Sequence, residues 1–199
     1  MLLLRILSTF CLPLLALDSL ALSSTEQRAL FIDTEKAIER GAIRVAETNI
    51  QRLGDYSLVP FLQVNLLREN IERASDQEIL DFLAAHEGTW LAEKLRLRWL
   101  PELFNSKRYS DYIVQYRKSK PSTLSSCRFG EALLRTNQSQ RAFAMAPDLW
   151  LHGKSRPDAC DYLFEQWQKS EQFSEEYLWQ RFILARKTGQ HRFSGYLRK

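Results

Sequence analysis

The chain has 199 residues, 45% of them hydrophobic and 12% aromatic, enough for one domain with a substantial core and too apolar for a disordered chain. Its 28 Lys and Arg against 24 Asp and Glu give a formal charge of +4 and a pI near 9.0, a balance that invites a nucleic-acid reading. The basic residues are scattered in runs of no more than two, the pattern of solvated helix faces rather than of a phosphate-binding stripe.

The first residues read as a secretory signal peptide, assigned to 1–23. Arg5 supplies a positive charge, Ile6 to Leu17 form a mostly apolar stretch containing Pro13, and small residues follow at Ser19, Ala21 and Ser23. The apolar core is too short for a bilayer span, and the chain turns polar at Thr25. Cleavage is expected after Ala21 or Ser23, leaving roughly 176 to 178 residues; the alternative is a short anchoring helix retained in a membrane. Cys11 follows Phe10 inside the apolar run, so it does not look like a lipid-attachment cysteine and would leave with the signal. Export also removes nucleic acid from the chain's surroundings.

Helical periodicity dominates the remainder of the chain. Ser75 and Glu78 form a capping box, Ile79, Phe82 and Leu83 mark one apolar face, and Gly88 ends that segment. Thr89 can cap the next helix, where Leu91, Leu95, Trp99 and Leu103 recur every four residues. The stripe continues past Pro101, which is expected to kink this helix rather than end it. Ser174 opens a segment carrying Leu178, Trp179, Phe182 and Ile183, closed by Gly189. Helices are placed near 25–40, 42–53, 58–73, 76–87, 90–105, 109–117, 122–135, 139–150, 159–170, 175–188 and 190–198.

Many short helices joined by short connections, with no Pro-rich linker, describe stacked antiparallel helix pairs. Ala132 and Ala142 flank a turn at Thr136 to Gln138, as small residues do in tetratricopeptide-type hairpins, but no strict repeat is present. The expected fold is all-α, an irregular α-solenoid; the alternative is a compact helical bundle. The chain stops at Tyr196-Leu197-Arg198-Lys199 without an evident polar capping helix, so the array is expected to be cut short.

The most specific segment is Leu149 to Trp167, LWLHGKSRPDACDYLFEQW. Gly153 suits a helix end that needs positive φ, and Pro157 pre-sets φ just before a helix beginning at Asp158 or Ala159. This run resembles the LW-L-x-GKS-x-P-x-ACD-x-LF-x-x-W pattern in the superhelical, U-shaped N-terminal domain of the soluble lytic murein transglycosylases. The resemblance is clearest from about Tyr56 to Gly189. It starts at SLVPFLQVNLL, which departs from the family's L-x-PYLEY-type helix at Phe61 to Gln63. It implies a superhelical domain over 24–199, corresponding to about the first half of the family's superhelix. It also implies a periplasmic location and peptidoglycan glycan strands as partner. A separate catalytic domain is a further partner the resemblance implies; the alternative is a stand-alone helical-repeat scaffold that binds another envelope protein. A basic periplasmic chain would meet anionic cell-wall peptides or lipid head groups.

Once the signal is removed, Cys127 and Cys160 remain, and an even pair in an exported chain reads as a disulfide. Both cysteines also match positions in the family pattern. Metal binding competes poorly, because two cysteines with no histidine at ligand spacing fall short of four ligands.

The family's catalytic acid is one Glu, followed by Ser, in a C-terminal lysozyme-like domain, where a cleft must raise its pKa toward the working pH. This chain has no Glu-Ser pair and no GLMQ-like run, so no catalytic residue is assigned and the chain alone is expected to be inactive. Other constellations fare no better. Glu175 and Glu176 are adjacent and would point about 100 degrees apart on a helix. His86, His152 and His191 have no metal-ligand spacing, and Lys154-Ser155 lacks the second glycine and preceding strand of a phosphate loop. No cofactor or metal is expected. Asn137-Gln138-Ser139 fits a glycosylation sequon, which the resemblance to a bacterial family implies is incidental. Trp90, Trp99, Trp150, Trp167 and Trp179 offer faces to sugar rings, but beside leucines at helical spacing most are expected in the core.

Overall fold

Serine and threonine side chains cap four of the helices described below, at Ser23, Ser75, Thr89 and Ser122. The computed structural model describes residues 22–116 and 121–197. Residues 1–21 of the signal peptide expected over 1–23, with Cys11, lie outside the described residues, as do Arg198 and Lys199. In chain order the helices are α1 Ser24–Glu39, α2 Ile43–Leu53, α3 Val59–Glu69, α4 Asp76–Ala85, α5 Trp90–Asn105, α6 Tyr109–Tyr116, α7 Thr123–Arg135, α8 Ser139–Trp150, α9 Asp161–Gln168, α10 Glu175–Lys187 and α11 His191–Leu197. A 3-10 turn, Asp158–Cys160, leads into α9, and no strand occurs among the described residues.

The Ser75–Glu78 box is formed: the Ser75 backbone N–H donates to Glu78 Oε2 at 2.8 Å, and Glu78 N–H donates back to Ser75 Oγ at 3.3 Å. Ser23 and Glu26 repeat the arrangement at the start of α1, satisfying amides that the first turn leaves orphaned. Thr89 caps α5, which runs unbroken through Pro101 and buries Leu95, Trp99 and Leu103. The helix expected over 58–73 stops at Glu69. Ile71 is nevertheless buried in the turn beyond it, so the apolar stripe outlasts the helix and made it read too long.

Every substantial helix contact among the described residues joins neighbours one or two helices apart. α1 packs on α2 and α3, α3 on α5, α7 on α8 and α9, and α8 on α10. That short reach is the signature of a stacked array rather than of a bundle closed on itself, and the fold is an all-α solenoid. Ala132 and Ala142 are fully buried where α7 meets α8. The core divides into a small cluster centred on Ala37, Ile38, Ala46, Leu53 and Leu62 and a large one running from Val64 to Trp167. α3 contributes to both, through Leu62 and Val64.

Candidate functional site

The connection from α8 to α9 is the most constrained part of the array. Gly153 is not in the left-handed region, so the expected positive φ is corrected: the glycine is required by crowding. A Cβ placed there would lie 2.5 Å from Thr188 Oγ1 and 2.7 Å from the Leu184 carbonyl oxygen. Thr188 Oγ1 donates to the Gly153 carbonyl at 3.2 Å, and Arg156 Nε donates to Leu149 O, the carbonyl left open by the end of α8, at 2.6 Å. Pro157, at φ −56°, precedes the 3-10 turn. Gly153→Ala is therefore expected to cost about 2 to 3 kcal/mol through overpacking against backbone. The measurement is the urea midpoint, and an unchanged midpoint would mean that the loop lifts from α10 at no cost.

Beneath the loop, Cys127 of α7 and Cys160 of the 3-10 turn are joined, with S–S 2.00 Å and Cα atoms 4.7 Å apart. Both are fully buried. Beside them Trp150, Phe164, Trp167 and Phe173 meet edge to face, with centroids 5.0 Å apart for both Trp150–Phe164 and Trp167–Phe173, and Tyr177 stacks on Phe173.

Between α8, α9, α10 and α11 lies a cavity of about 520 Å³. Arg181 of α10 reaches into it. Only 4% of this residue is exposed, and its guanidinium lies 3.9 Å from the Trp150 ring centre and 4.8 Å from that of Phe193, a favourable cation–π arrangement. Its Nε has no hydrogen-bond partner. Burial, and after it the charge of Arg156, pulls the Arg181 guanidinium down to about 10, with Asp161 pulling the other way; it remains charged at neutral pH. Sequence reasoning missed this residue because it put the apolar face of α10 on Trp179 and Phe182. The helix instead buries Arg181 and Ala185, and the usable signal was the i, i+4 row Tyr177, Arg181, Ala185.

Three of the tryptophans, Trp99, Trp150 and Trp167, are core residues. Trp90 and Trp179 are 55% and 59% exposed. Trp179 stacks on Phe182. Trp90 packs edge-on against Phe61 at 5.2 Å, and Lys94 lies 5.5 Å from the Trp90 ring centre while donating to Asn65 Oδ1 at 2.9 Å. Burial, with the charge of Arg68, holds the Lys94 ammonium below its ordinary value. An open indole face beside an amide and an amine is a surface that sugar rings can stack on and hydrogen-bond to.

The remaining candidates stay apart. Glu175 and Glu176 occupy the exposed first turn of α10, where the helix dipole favours carboxylates. His86 follows α4 and packs on Phe82, His152 Nδ1 accepts from the Lys154 amide, and His191 starts α11 beside Arg186. Lys154 and Ser155 are exposed in the α8–α9 loop, and Asn137 sits at φ 59° in the α7–α8 turn. No Asp or Glu among the described residues is buried. The carboxyls that are shifted all move downward: hydrogen bonds from Ser23 to Glu26, from Ser75 to Glu78 and from Arg108 to Asp76 favour the ionised form.

No protein-family model matches the chain. Relatives and solved structures do. It is 30% identical over 184 residues to the soluble lytic murein transglycosylase of Salmonella typhimurium, an alignment covering 92% of this chain and 28% of that protein. The crystal structure of the 70 kDa soluble lytic transglycosylase from Escherichia coli superposes with a TM-score of 0.77 at 27% identity, covering 88% of this chain and 28% of that one. Over this stretch the chain is a homologue of the soluble lytic murein transglycosylases. An inactive variant of lytic transglycosylase Slt from Pseudomonas aeruginosa matches at a TM-score of 0.72 and 31% identity, over 86% of this chain and 28% of that one. The chain thus spans under a third of the length of the transglycosylases it matches, and its likeness to them lies in the helical array. No described helix is long and apolar enough to cross a membrane.

Proposed function

We propose that residues 24–199 form a periplasmic superhelical portion of a lytic murein transglycosylase, which acts in murein turnover by binding the polymer rather than by cutting it. The observation that carries this reading is the combined likeness in sequence and structure to soluble lytic transglycosylases over about nine-tenths of the chain. The non-catalytic part of the reading draws on the carboxyls. A glycosidase acid needs surroundings that raise its pKa, whereas no described carboxyl is buried and those that shift move down. The exposed face of Trp90, with Lys94 and Asn65 beside it, is the contact we propose for sugar rings.

The test uses purified chain and isolated sacculi. We expect the chain to sediment with sacculi, Trp90→Ala to weaken that retention severalfold with an unchanged melting curve, and no 1,6-anhydro products to be released. Failure to sediment would remove the binding role, and anhydro products from chain free of contaminating hydrolase would remove the non-catalytic one.

The signal segment within 1–23 leaves two cleavage points, and the α1 capping box distinguishes them. Removal after Ala21 keeps Ser23, whose Oγ accepts from Glu26 N–H; removal after Ser23 strips the cap, at a cost of about 1 kcal/mol. We expect the exported chain to begin at Leu22, readable from its intact mass; a chain beginning at Ser24 would overturn the assignment.

A further inference from the structure

We propose that the cavity between α8, α9, α10 and α11 binds a zwitterionic amino-acid centre, a carboxylate and a protonated amine carried by one small ligand. Arg181 is the first observation. Its Nε is shut off from water without a partner, and buried guanidinium donors are normally matched. The Trp150 and Phe193 rings lie within cation–π distance of the guanidinium, and Arg181 lines the cavity, so the group is held where a carboxylate entering the cavity can meet it. Arg156, already anchored through Nε to Leu149 O, lines the same cavity and brings a second guanidinium. An anion between the two would relieve the repulsion of like charges.

The rest of the lining narrows the ligand. Asp158, Asp161 and Glu165 share the cavity with the two arginines. Three carboxylates repel a polyanion such as phosphate, and two guanidinium groups repel a simple cation, so a molecule bearing both charges fits best. Trp150, Phe164 and Phe193 supply the apolar wall, and about 520 Å³ falls within the size range of small-molecule sites. Such a centre occurs in free amino acids and in the diamino-acid residue of murein peptides. The inference goes beyond sacculus retention and stands even where that retention fails, because it concerns a pocket remote from Trp90.

The experiment is calorimetry, with tryptophan fluorescence as a second readout because Trp150 lies against Arg181. The full chain is titrated with meso-2,6-diaminopimelic acid, with its N,N′-diacetylated and its diamidated derivatives, with a diaminopimelate-ending muropeptide, and with inorganic phosphate. Saturable binding of diaminopimelate or muropeptide is expected, weakened at least tenfold when the amine is acetylated or the carboxylate amidated. Tenfold tighter binding of the muropeptide assigns the murein peptide as source, and equal or weaker binding assigns the free amino acid. Arg156→Gln and Asp161→Asn, each away from the fully buried core and checked by melting curve, are each expected to weaken binding at least tenfold. Absence of saturable binding by every zwitterionic probe would overturn the proposal. So would phosphate or the blocked derivatives binding as tightly as the zwitterion, or indifference to both substitutions.

Discussion

Trp167→Ala is expected to lower the unfolding free energy by about 3 to 5 kcal/mol, the largest loss for any single truncation in the array. Trp167 is fully buried, and its ring meets Trp150 at 6.0 Å, Phe173 at 5.0 Å and Tyr177 at 4.9 Å. Those partners come from α8, the α9–α10 connection and α10, so the void would open at the junction of three elements rather than on one helix face. Rigid ring partners collapse into such a void poorly, which puts the cost at the upper end of the range. Urea unfolding followed by far-ultraviolet circular dichroism measures it. A loss below about 1 kcal/mol would mean that the junction repacks freely.

Removing the sulfur bridge ranks second. The closed loop spans 33 residues between Cys127 and Cys160, and releasing a loop of that length is expected to cost about 3 to 4 kcal/mol by the chain-entropy account. Cys127→Ala with Cys160→Ala, compared with the parent in oxidising and reducing buffer, should show the oxidised parent as the outlier and the other forms clustered well below it. Alanine is preferable to serine because both sulfurs are fully buried, and a hydroxyl there would add a desolvation cost. Alkylation of two thiols in unreduced, unfolded protein would show that no bond is present. Equal stability of all forms would show that the bond contributes nothing.

Local chemistry made much of the fold readable. The Ser75–Glu78 box, the Thr89 cap and the row Leu95, Trp99 and Leu103, spaced by four, each act within a few residues, and α5 occupies Trp90–Asn105 as its spacing predicts. What escaped depends on partners distant in sequence. Gly153 was legible as a special position, but its cause, the C-terminal turn of α10, lies more than thirty residues on. Arg181 looked like one more solvated cation until its neighbours across α8, α9 and α11 were in place. Trp90 and Trp179 likewise carry the same spacing as their buried counterparts. Which face of a helix is covered is decided by the next layer of the stack, not by the helix itself.

The divided core has a consequence for how the array comes apart. The substantial packing of α1 and α2 is with each other and with α3, and the sulfur bridge ties α7 to the turn before α9, farther along the stack. The leading hairpin can therefore peel away, exposing only Leu62 and its small group of neighbours, while the assembly from Val64 onward stays closed. Backbone amides in α1 and α2 would then exchange with solvent through partial opening, and those of α7 and α9 only through global unfolding.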